Sequence, residues 1–174
     1  DEAQVPEFAN VFARHDLAIA PLVASIAEAG LAMTERSPLV RHPVSWLINA
    51  EKSTGARVDT RARAHILGSM NMVPGRPPHV GGFPPPEDYL SASSTAARFS
   101  SAGMVANQTP EDSLALTVAA SGSWSTLAEL LGRPDGFSAA SLAALEGLKN
   151  TVPVPQQGRN CLALALSTPD LLVI

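Results

Sequence analysis

Residues 70–98 of this chain read MNMVPGRPPHVGGFPPPEDYLSASSTAAR, a loop rich in proline and glycine between two helix-like segments. Proline fixes φ and glycine permits tight bends, so a loop of this composition can hold a defined path. Long loops in compact domains are usually either functional or disordered. We therefore predict an ordered loop over residues 74–86 that serves the fold or a binding site.

On both sides of this loop the sequence is typical of helices. Apolar residues recur at three- and four-residue spacing, and alternating strand patterns are nearly absent. We expect an all-α, irregular multi-helix bundle with a long ordered Pro/Gly loop, in which about eight helices form a single domain over residues 1–174. The helix starts are predicted at Pro6, Asp16, Pro43, Asp59, Glu87 or Asp88, Thr109, Ser123, Ser138 and Asn160.

Length and charge limit the classes of function. The 174 residues, with 45% apolar content, are enough for one globular domain with its own core. The formal net charge of −4 provides no basic field for phosphates, which argues against a nucleic-acid partner. The longest apolar runs are far shorter than the roughly 20 residues of a membrane-spanning helix, so no span is predicted.

Residues that usually carry catalysis or bind metals form no recognisable constellation. Cys161 is the only cysteine and has apolar neighbours, which predicts a buried thiol and excludes an internal disulfide. The four histidines contain no i, i+4 pair of the kind that binds zinc on a helix, and no Gly-x-Ser-x-Gly elbow occurs. The sequence therefore predicts no cofactor and no metal.

Candidate contact residues lie in the loop and at three cationic positions. His79 lies between prolines and glycines that fix its backbone, so it is the best candidate for a base or ligand, although local packing is the commoner role. The cations either gather around an anionic ligand or partner carboxylate under the loop, or bind loop carbonyls and helix C-termini. The complete set of candidate ligand or partner contacts is Arg41, Lys52, His79, Gly81, Phe83 and Arg98.

Several landmarks occur in an order that resembles a bacterial family. Residues 40–48, VRHPVSWLI, are similar to its basic-x-Pro-Val helix start. Residues 77–84, PPHVGGFP, are similar to its Pro-Pro-x-Val-x-Gly-aromatic-Pro loop, and residues 162–170 resemble its leucine-rich Ser-Pro-acid ending. The chain therefore resembles the C-terminal part of the domain of unknown function 1800 family. Further residues at family positions are Lys52, Gly55, Tyr89 and Arg98.

The resemblance implies a helical, exported bacterial protein and no particular reaction. Relatives often begin with a secretion signal and are generally much longer, which implies that this chain is the back half of an extracytoplasmic or secreted protein. Ser45 and Phe83 differ from the family pattern, which usually has a carboxylate and a tryptophan at these positions.

Two classes of function are consistent with these observations. The first is a binding or assembly role, in which the proline loop fixes contacts with a missing N-terminal half, a partner subunit or a second copy. We also expect such a partner to cover an apolar face of this chain. The alternative is part of an extracytoplasmic enzyme that acts on a polymer or carbohydrate. In that case His79, Arg98 and Arg41 share a cleft, and another segment supplies the remaining catalytic groups.

Overall fold

The computed structural model of the protein describes residues 4–32 and 39–173. Within these ranges β-structure is limited to isolated bridges, and the predicted all-α fold is confirmed. Short 3-10 helices occupy Pro86–Leu90 and Pro169–Leu171. The helices are α1 (Val5–Arg14), α2 (Ile19–Ala32), α3 (Pro43–Thr54), α4 (Thr60–Ser69), α5 (Ala92–Gln108), α6 (Leu114–Ser121), α7 (Trp124–Leu130), α8 (Ala139–Thr151) and α9 (Val154–Ser167).

The chain divides into two compact units, residues 1–37 and residues 38–174. In the first unit α1 packs against α2. The predicted N-cap at Asp16 is wrong, because Asp16 and Leu17 have φ values of 50° and 62° and form the connecting turn. The N–H of Leu17 donates to the carbonyl of Phe12 at 3.0 Å, and α2 begins only at Ile19. The single-domain assignment stays a prediction.

The core of the second unit is built around α9, which packs against α5, α6 and α8. Its buried residues, Cys161, Leu162, Ala165 and Leu166, recur at helical spacing. Trp46 of α3 is 1% exposed, and its indole N–H donates to the carbonyl of Leu166 at 3.0 Å, so its polar group is satisfied inside the core. The predicted buried thiol is confirmed, and burial raises the pKa of Cys161.

Several predicted helix ends are confirmed by their capping bonds. At the start of α4, the Asp59 carboxylate accepts from the N–H of Ala62 at 2.8 Å. At the start of α8, the Ser138 hydroxyl oxygen accepts from the N–H of Ser141 at 3.3 Å. Gly55 ends α3 with φ at 73°, a conformation in which a side chain is strained.

The predicted start of a helix at Glu87 or Asp88 is wrong. These residues lie in the 3-10 helix Pro86–Leu90, and the extended backbone of Ser91 separates them from α5. The Ser91 hydroxyl oxygen accepts from the N–H of Ser94 at 3.4 Å and caps α5 at Ala92. The start of α5 is therefore set by the Ser91 cap and not by the acidic residues Glu87 and Asp88.

The starts predicted at Thr109 and Asn160 are also wrong. The Thr109 hydroxyl donates to the carbonyl of Val105 at 2.9 Å and ends α5, while α6 starts after Ser113. The Ser113 hydroxyl donates to the carbonyl of Thr54 at 2.7 Å, which links the start of α6 to the end of α3. Helix α9 begins already at Val154, upstream of Asn160.

The loop over residues 74–86 contains tight turns, as its composition predicts. The N–H of Arg76 donates to the carbonyl of Val73, and the N–H of Gly82 donates to the carbonyl of His79, both at 3.0 Å. Gly82 has φ at 101°, a region that glycine adopts without a side-chain clash. That the whole loop is ordered, and that it serves the fold or a binding site, stay predictions.

Candidate functional site

The most unusual residue of the second unit is Arg98, a cation inside its core. The buried positions of α5 include Ser94, Arg98, Ser101 and Val105, so helical spacing places Arg98 on the face that packs inward. Its side chain is 1% exposed. Nη2 donates to the carbonyl of Arg41 at 2.9 Å, whereas Nε and Nη1 are buried and have no hydrogen-bond partner in residues 4–32 and 39–173.

A second positive charge, that of Arg41, lies close to Arg98. Burial, reinforced by the neighbouring charge of Arg41, lowers the pKa of Arg98 to about 10. Burial and the charge of Arg133 lower the pKa of Arg41 in turn. The ion pairs formed by residues 4–32 and 39–173 join other residues, Arg63 with Glu51 and Arg159 with Glu111. Among the described residues, Arg98 is therefore a buried guanidinium close to a second cation and without a carboxylate in contact.

Two rings lie beside these cations. The ring centroids of His42 and Tyr89 are 5.2 Å apart, with an angle of 57° between the ring planes. Tyr89 is 1% exposed, and neither its hydroxyl nor Nδ1 of His42 has a hydrogen-bond partner in the part of the chain that the structure describes. Burial and the charge of Asp88 raise the pKa of Tyr89, and the charge of Arg98 opposes this shift. The Tyr89 hydroxyl is therefore close enough to Arg98 for the guanidinium charge to affect its pKa.

Unpartnered polar atoms are concentrated in this region. Across the described ranges, seven buried side-chain nitrogen and oxygen atoms lack a partner. Such atoms are rare in folded proteins, and each calls for an explanation. We call the six residues that carry them the arginine cluster: Arg41, His42, Tyr89, Arg98, Ser101 and Arg133.

Residues 172–173, which follow α9, bind the backbone around Arg41. Val40 pairs with Val173 in an isolated antiparallel bridge, and the N–H of Arg41 donates to the carbonyl of Leu172 at 2.7 Å. Nη1 of Arg133 donates to the carbonyl of Val173 at 3.1 Å. Arg41 and Arg133 therefore both donate to carbonyls of the same short segment, residues 172–173, which positions them relative to each other.

A cavity of about 220 Å³ adjoins the cluster at Tyr89. It lies between the end of α4, the Pro/Gly loop and the first turn of α5, and most of its lining is polar. The residues that line it are Met70, Asn71, Pro84, Asp88, Tyr89, Ser91, Ser93 and Ser94.

Comparison with known proteins gives one finding. A sequence model described as "protein of unknown function (DUF1800)" matches residues 1–173. The chain belongs to the DUF1800 family. No curated protein and no solved structure matches the DUF1800 chain. The family resemblance is confirmed.

The DUF1800 chain brings together two of the candidate residues that the sequence indicated. Arg41 and Arg98 meet through the 2.9 Å bond between Nη2 and the Arg41 carbonyl. Lys52 is exposed in the last turn of α3, where a cation complements the helix dipole. Among the hydrogen bonds and ion pairs of the described residues, none joins Lys52 or His79 to either arginine.

The candidate contact residues of the Pro/Gly loop differ in solvent exposure. His79 and Gly81 are exposed, and Phe83 is half-buried. A Cβ atom at Gly81 would lie 3.1 Å from Nδ1 of His79, so glycine allows the imidazole to lie close to the backbone. Close local packing of this kind is the simpler role for both residues. Their role as ligand or partner contacts stays a prediction.

Four members of the cluster were not among the candidate site residues. His42 looked like a helix boundary, and Tyr89 matched only a family position. Arg133 belongs to the sequence Arg-Pro-Asp-Gly, which indicates a turn, and Ser101 is one of many serines on α5. The available signal was the spacing of Arg98 and Ser101 on the apolar face of α5, because polar residues on such a face need partners.

Residues 4–32 and 39–173 contain neither a group of metal-ligating side chains nor a helix that could span a membrane. No group of three or more histidine, cysteine, aspartate or glutamate side chains in the described residues could hold a metal ion. Among those residues, no helix combines the length and apolar character required to cross a membrane.

The first unit of the DUF1800 chain has an apolar surface of its own. Neither α1 nor α2 buries a residue, although both contain large apolar side chains. A cleft of about 310 Å³ between the two helices has a wholly apolar lining: Val5, Phe8, Ala9, Phe12, Leu22 and Ile26. The sequence predicts an apolar face that a partner covers. Whether this surface is that face, and which partner covers it, stay predictions.

Proposed function

We propose that this chain is a binding module that holds an anionic group at the arginine cluster, in an assembly role with a further protein segment or ligand. The observation that carries the proposal is Arg98, a guanidinium that is 1% exposed and has no carboxylate within ion-pair distance among the described residues. A buried ion without a counter-ion is costly by several kcal/mol. An anion bound at the cluster would remove that cost.

The local charges support an anion over a neutral ligand. Arg41 is close enough to Arg98, and Arg133 to Arg41, for each pair to repel. A negative charge placed near Arg41 attracts all three guanidinium groups. The first turn of α3, which begins directly after His42, has no side-chain cap, so its N–H groups add to the positive potential. Arginine is also the side chain best suited to pairing with planar anions.

The proposal includes export of the protein, which follows from the family resemblance. Fractionation of the producing bacterium, with detection by an antibody against this chain, tests that part. Detection only in the cytoplasmic fraction would contradict export and would leave the anion site unaffected.

The anion site is tested by thermal unfolding of the chain in chloride, acetate, sulfate and phosphate at equal ionic strength. We expect at least one anion to raise the Tm above that in chloride, because a ligand that binds only the folded state stabilises it. The increase is expected to disappear in Arg98→Met, which keeps the volume and removes the charge.

Arg57→Met is the matched control, because Arg57 is exposed and its side chain forms no hydrogen bond with other described residues. It should retain the increase in Tm. Sulfate and phosphate also stabilise proteins by exclusion from the surface, and Arg98→Met measures that general effect. An equal response of the wild type and Arg98→Met to every anion would exclude the proposed site.

A further inference from the structure

We propose that the group completing the arginine cluster is a carboxylate, either of a small carboxylic acid or of an acidic side chain in a peptide. This inference rests on the proposed function and specifies the chemistry of its ligand. It is carried by the juxtaposition of Arg98, Arg41 and Tyr89. Each has a buried polar atom without a partner among the described residues, Arg98 contacts the Arg41 carbonyl, and Tyr89 lies close enough for its charge to act on Arg98.

The unpartnered atoms require an acceptor. Nε and Nη1 of Arg98 and Nη1 of Arg41 can only donate, and the Tyr89 hydroxyl can also donate. The carbonyl of Arg41 already accepts from Nη2 of Arg98 and is neutral. An ionised carboxylate accepts hydrogen bonds at both oxygens and donates none, so it complements a site that consists of donors.

The burial of the charges favours one negative charge over two. Arg98 is 1% exposed, whereas Arg41 and Arg133 are only half-buried and keep contact with solvent. The uncompensated charge in the low-dielectric region is therefore that of Arg98. The cost of removing an ion from water rises steeply with its charge, so a dianionic phosphate or sulfate loses more hydration free energy than a carboxylate. Asp88, which raises the pKa of Tyr89, adds a further negative charge beside the site.

The shape of the groups favours a planar ligand. A guanidinium is planar and pairs with a carboxylate in the same plane. The rings of His42 and Tyr89, with centroids 5.2 Å apart, provide flat faces next to the arginines. A tetrahedral oxyanion fits such flat surroundings less well than a carboxylate.

The half-buried residues define the direction of entry. The donor atoms are covered, while the side chains of Arg41 and His42 are partly exposed beside the uncapped start of α3. A ligand therefore reaches Arg98 when the long Arg41 side chain rotates away, and the Arg41 guanidinium then closes over the bound carboxylate.

The ligand class is tested by calorimetric titration of the whole chain with acetate, sulfate and phosphate at equal ionic strength. We expect acetate to bind more tightly than either tetrahedral anion, and Arg98→Met to weaken acetate binding at least about tenfold. Arg41→Gln provides a second variant at a half-buried position and should weaken acetate binding in the same direction. Arg57→Met should leave the affinity unchanged.

The source of the carboxylate is tested with two blocked tripeptides, acetyl-Gly-Glu-Gly-amide and acetyl-Gly-Gln-Gly-amide. Tighter binding of the glutamate peptide than of acetate supports the carboxylate and assigns it to a protein segment. Binding of acetate with equal or higher affinity supports the carboxylate and assigns it to a small acid. Binding of the glutamine peptide as tight as that of the glutamate peptide would show that the carboxylate is not the recognised group.

The remaining outcomes separate the two proposals. Tighter binding of sulfate or phosphate than of acetate, lost in Arg98→Met, would overturn the carboxylate and leave the anion-binding function in place. Acetate binding that persists in both Arg98→Met and Arg41→Gln would place the carboxylate elsewhere and overturn this inference. If the wild type binds none of these anions, both proposals are wrong.

Discussion

Nη2 of Arg98 donates a 2.9 Å hydrogen bond to the main-chain carbonyl of Arg41, which joins the middle of α5 to the residues that lead into α3. This bond satisfies one polar group, but within the described ranges the charge has no counter-ion, because a carbonyl carries no net charge. Proteins retain unfavourable features of this kind chiefly where function requires them. The free chain should therefore gain stability when the charge is removed.

Replacing Arg98 with Met should stabilise the unliganded chain, in contrast to most core substitutions. Methionine fills a similar volume and removes the buried charge. Replacing even a paired set of buried ions by apolar residues of similar volume is often neutral or stabilising by roughly 1–4 kcal/mol, and the same direction is expected for a single buried charge. Urea unfolding in chloride buffer measures the free energy of unfolding, with Arg57→Met as the exposed control. A loss of stability in Arg98→Met, with none in Arg57→Met, would instead assign Arg98 a structural role.

The same buried charge predicts a pH dependence of stability. The pKa of Arg98 is about 10 in the folded chain, well below the ordinary value of an arginine. Between these values the unfolded chain binds more protons than the folded chain, so the free energy of unfolding rises with pH. The wild type should therefore gain stability relative to Arg98→Met from about pH 9 to about pH 11. Parallel pH profiles of the two proteins over this range would contradict the prediction.

The sequence predicted the all-α class and part of the site because those features depend on local patterns. Helical periodicity, the cap at Asp59 and the glycine at Gly55 are local, and each is confirmed. The cluster brings together residues that are far apart in the sequence, such as Arg41, Arg98 and Arg133. A pattern within one helix indicates that Arg98 faces inward, but not which residues meet it there.

The wrongly predicted helix start at Thr109 also depends on contacts between residues that are far apart in the sequence. The sequence at Thr109 has a threonine, a proline and acids in the order typical of a helix start. In the structure the Thr109 hydroxyl instead donates to Val105, and Ser113 binds the carbonyl of Thr54 on another helix. A long-range bond thus decides between two starts that local sequence makes comparably favourable.

Replacing Gly158 with Ala should destabilise the contact between α6 and α9. A Cβ atom at this position would lie 3.0 Å from the carbonyl oxygen of Leu116 and 3.5 Å from Cβ of Ala120, so the backbone of α6 has to shift by a few tenths of an ångström. We expect a loss of about 1–3 kcal/mol in the free energy of unfolding, typical of overpacking.

Gly147 provides the matched control for Gly158, because it also lies within a helix but a Cβ atom there would meet no other atom within 4 Å. Gly147→Ala should stabilise the chain by roughly 0.5–1 kcal/mol, since alanine has the higher helix propensity. Urea unfolding of both variants makes the comparison. Equal effects of the two substitutions would show that the α6–α9 contact adapts without cost.

Replacing Arg159 with Met should destabilise the chain through the end of α5 and not through the loss of an ion pair. Nη1 of Arg159 donates to the carbonyls of Ala106, Asn107 and Thr109 at 2.6, 3.1 and 3.1 Å, which satisfies groups that a helix end leaves without partners. Its partner Glu111 is 85% exposed, where ion pairs contribute little. Arg159→Met should therefore cost about 2–3 kcal/mol, and Glu111→Gln less than about 1 kcal/mol. Urea unfolding measures both, and equal losses would assign the stabilisation to the ion pair.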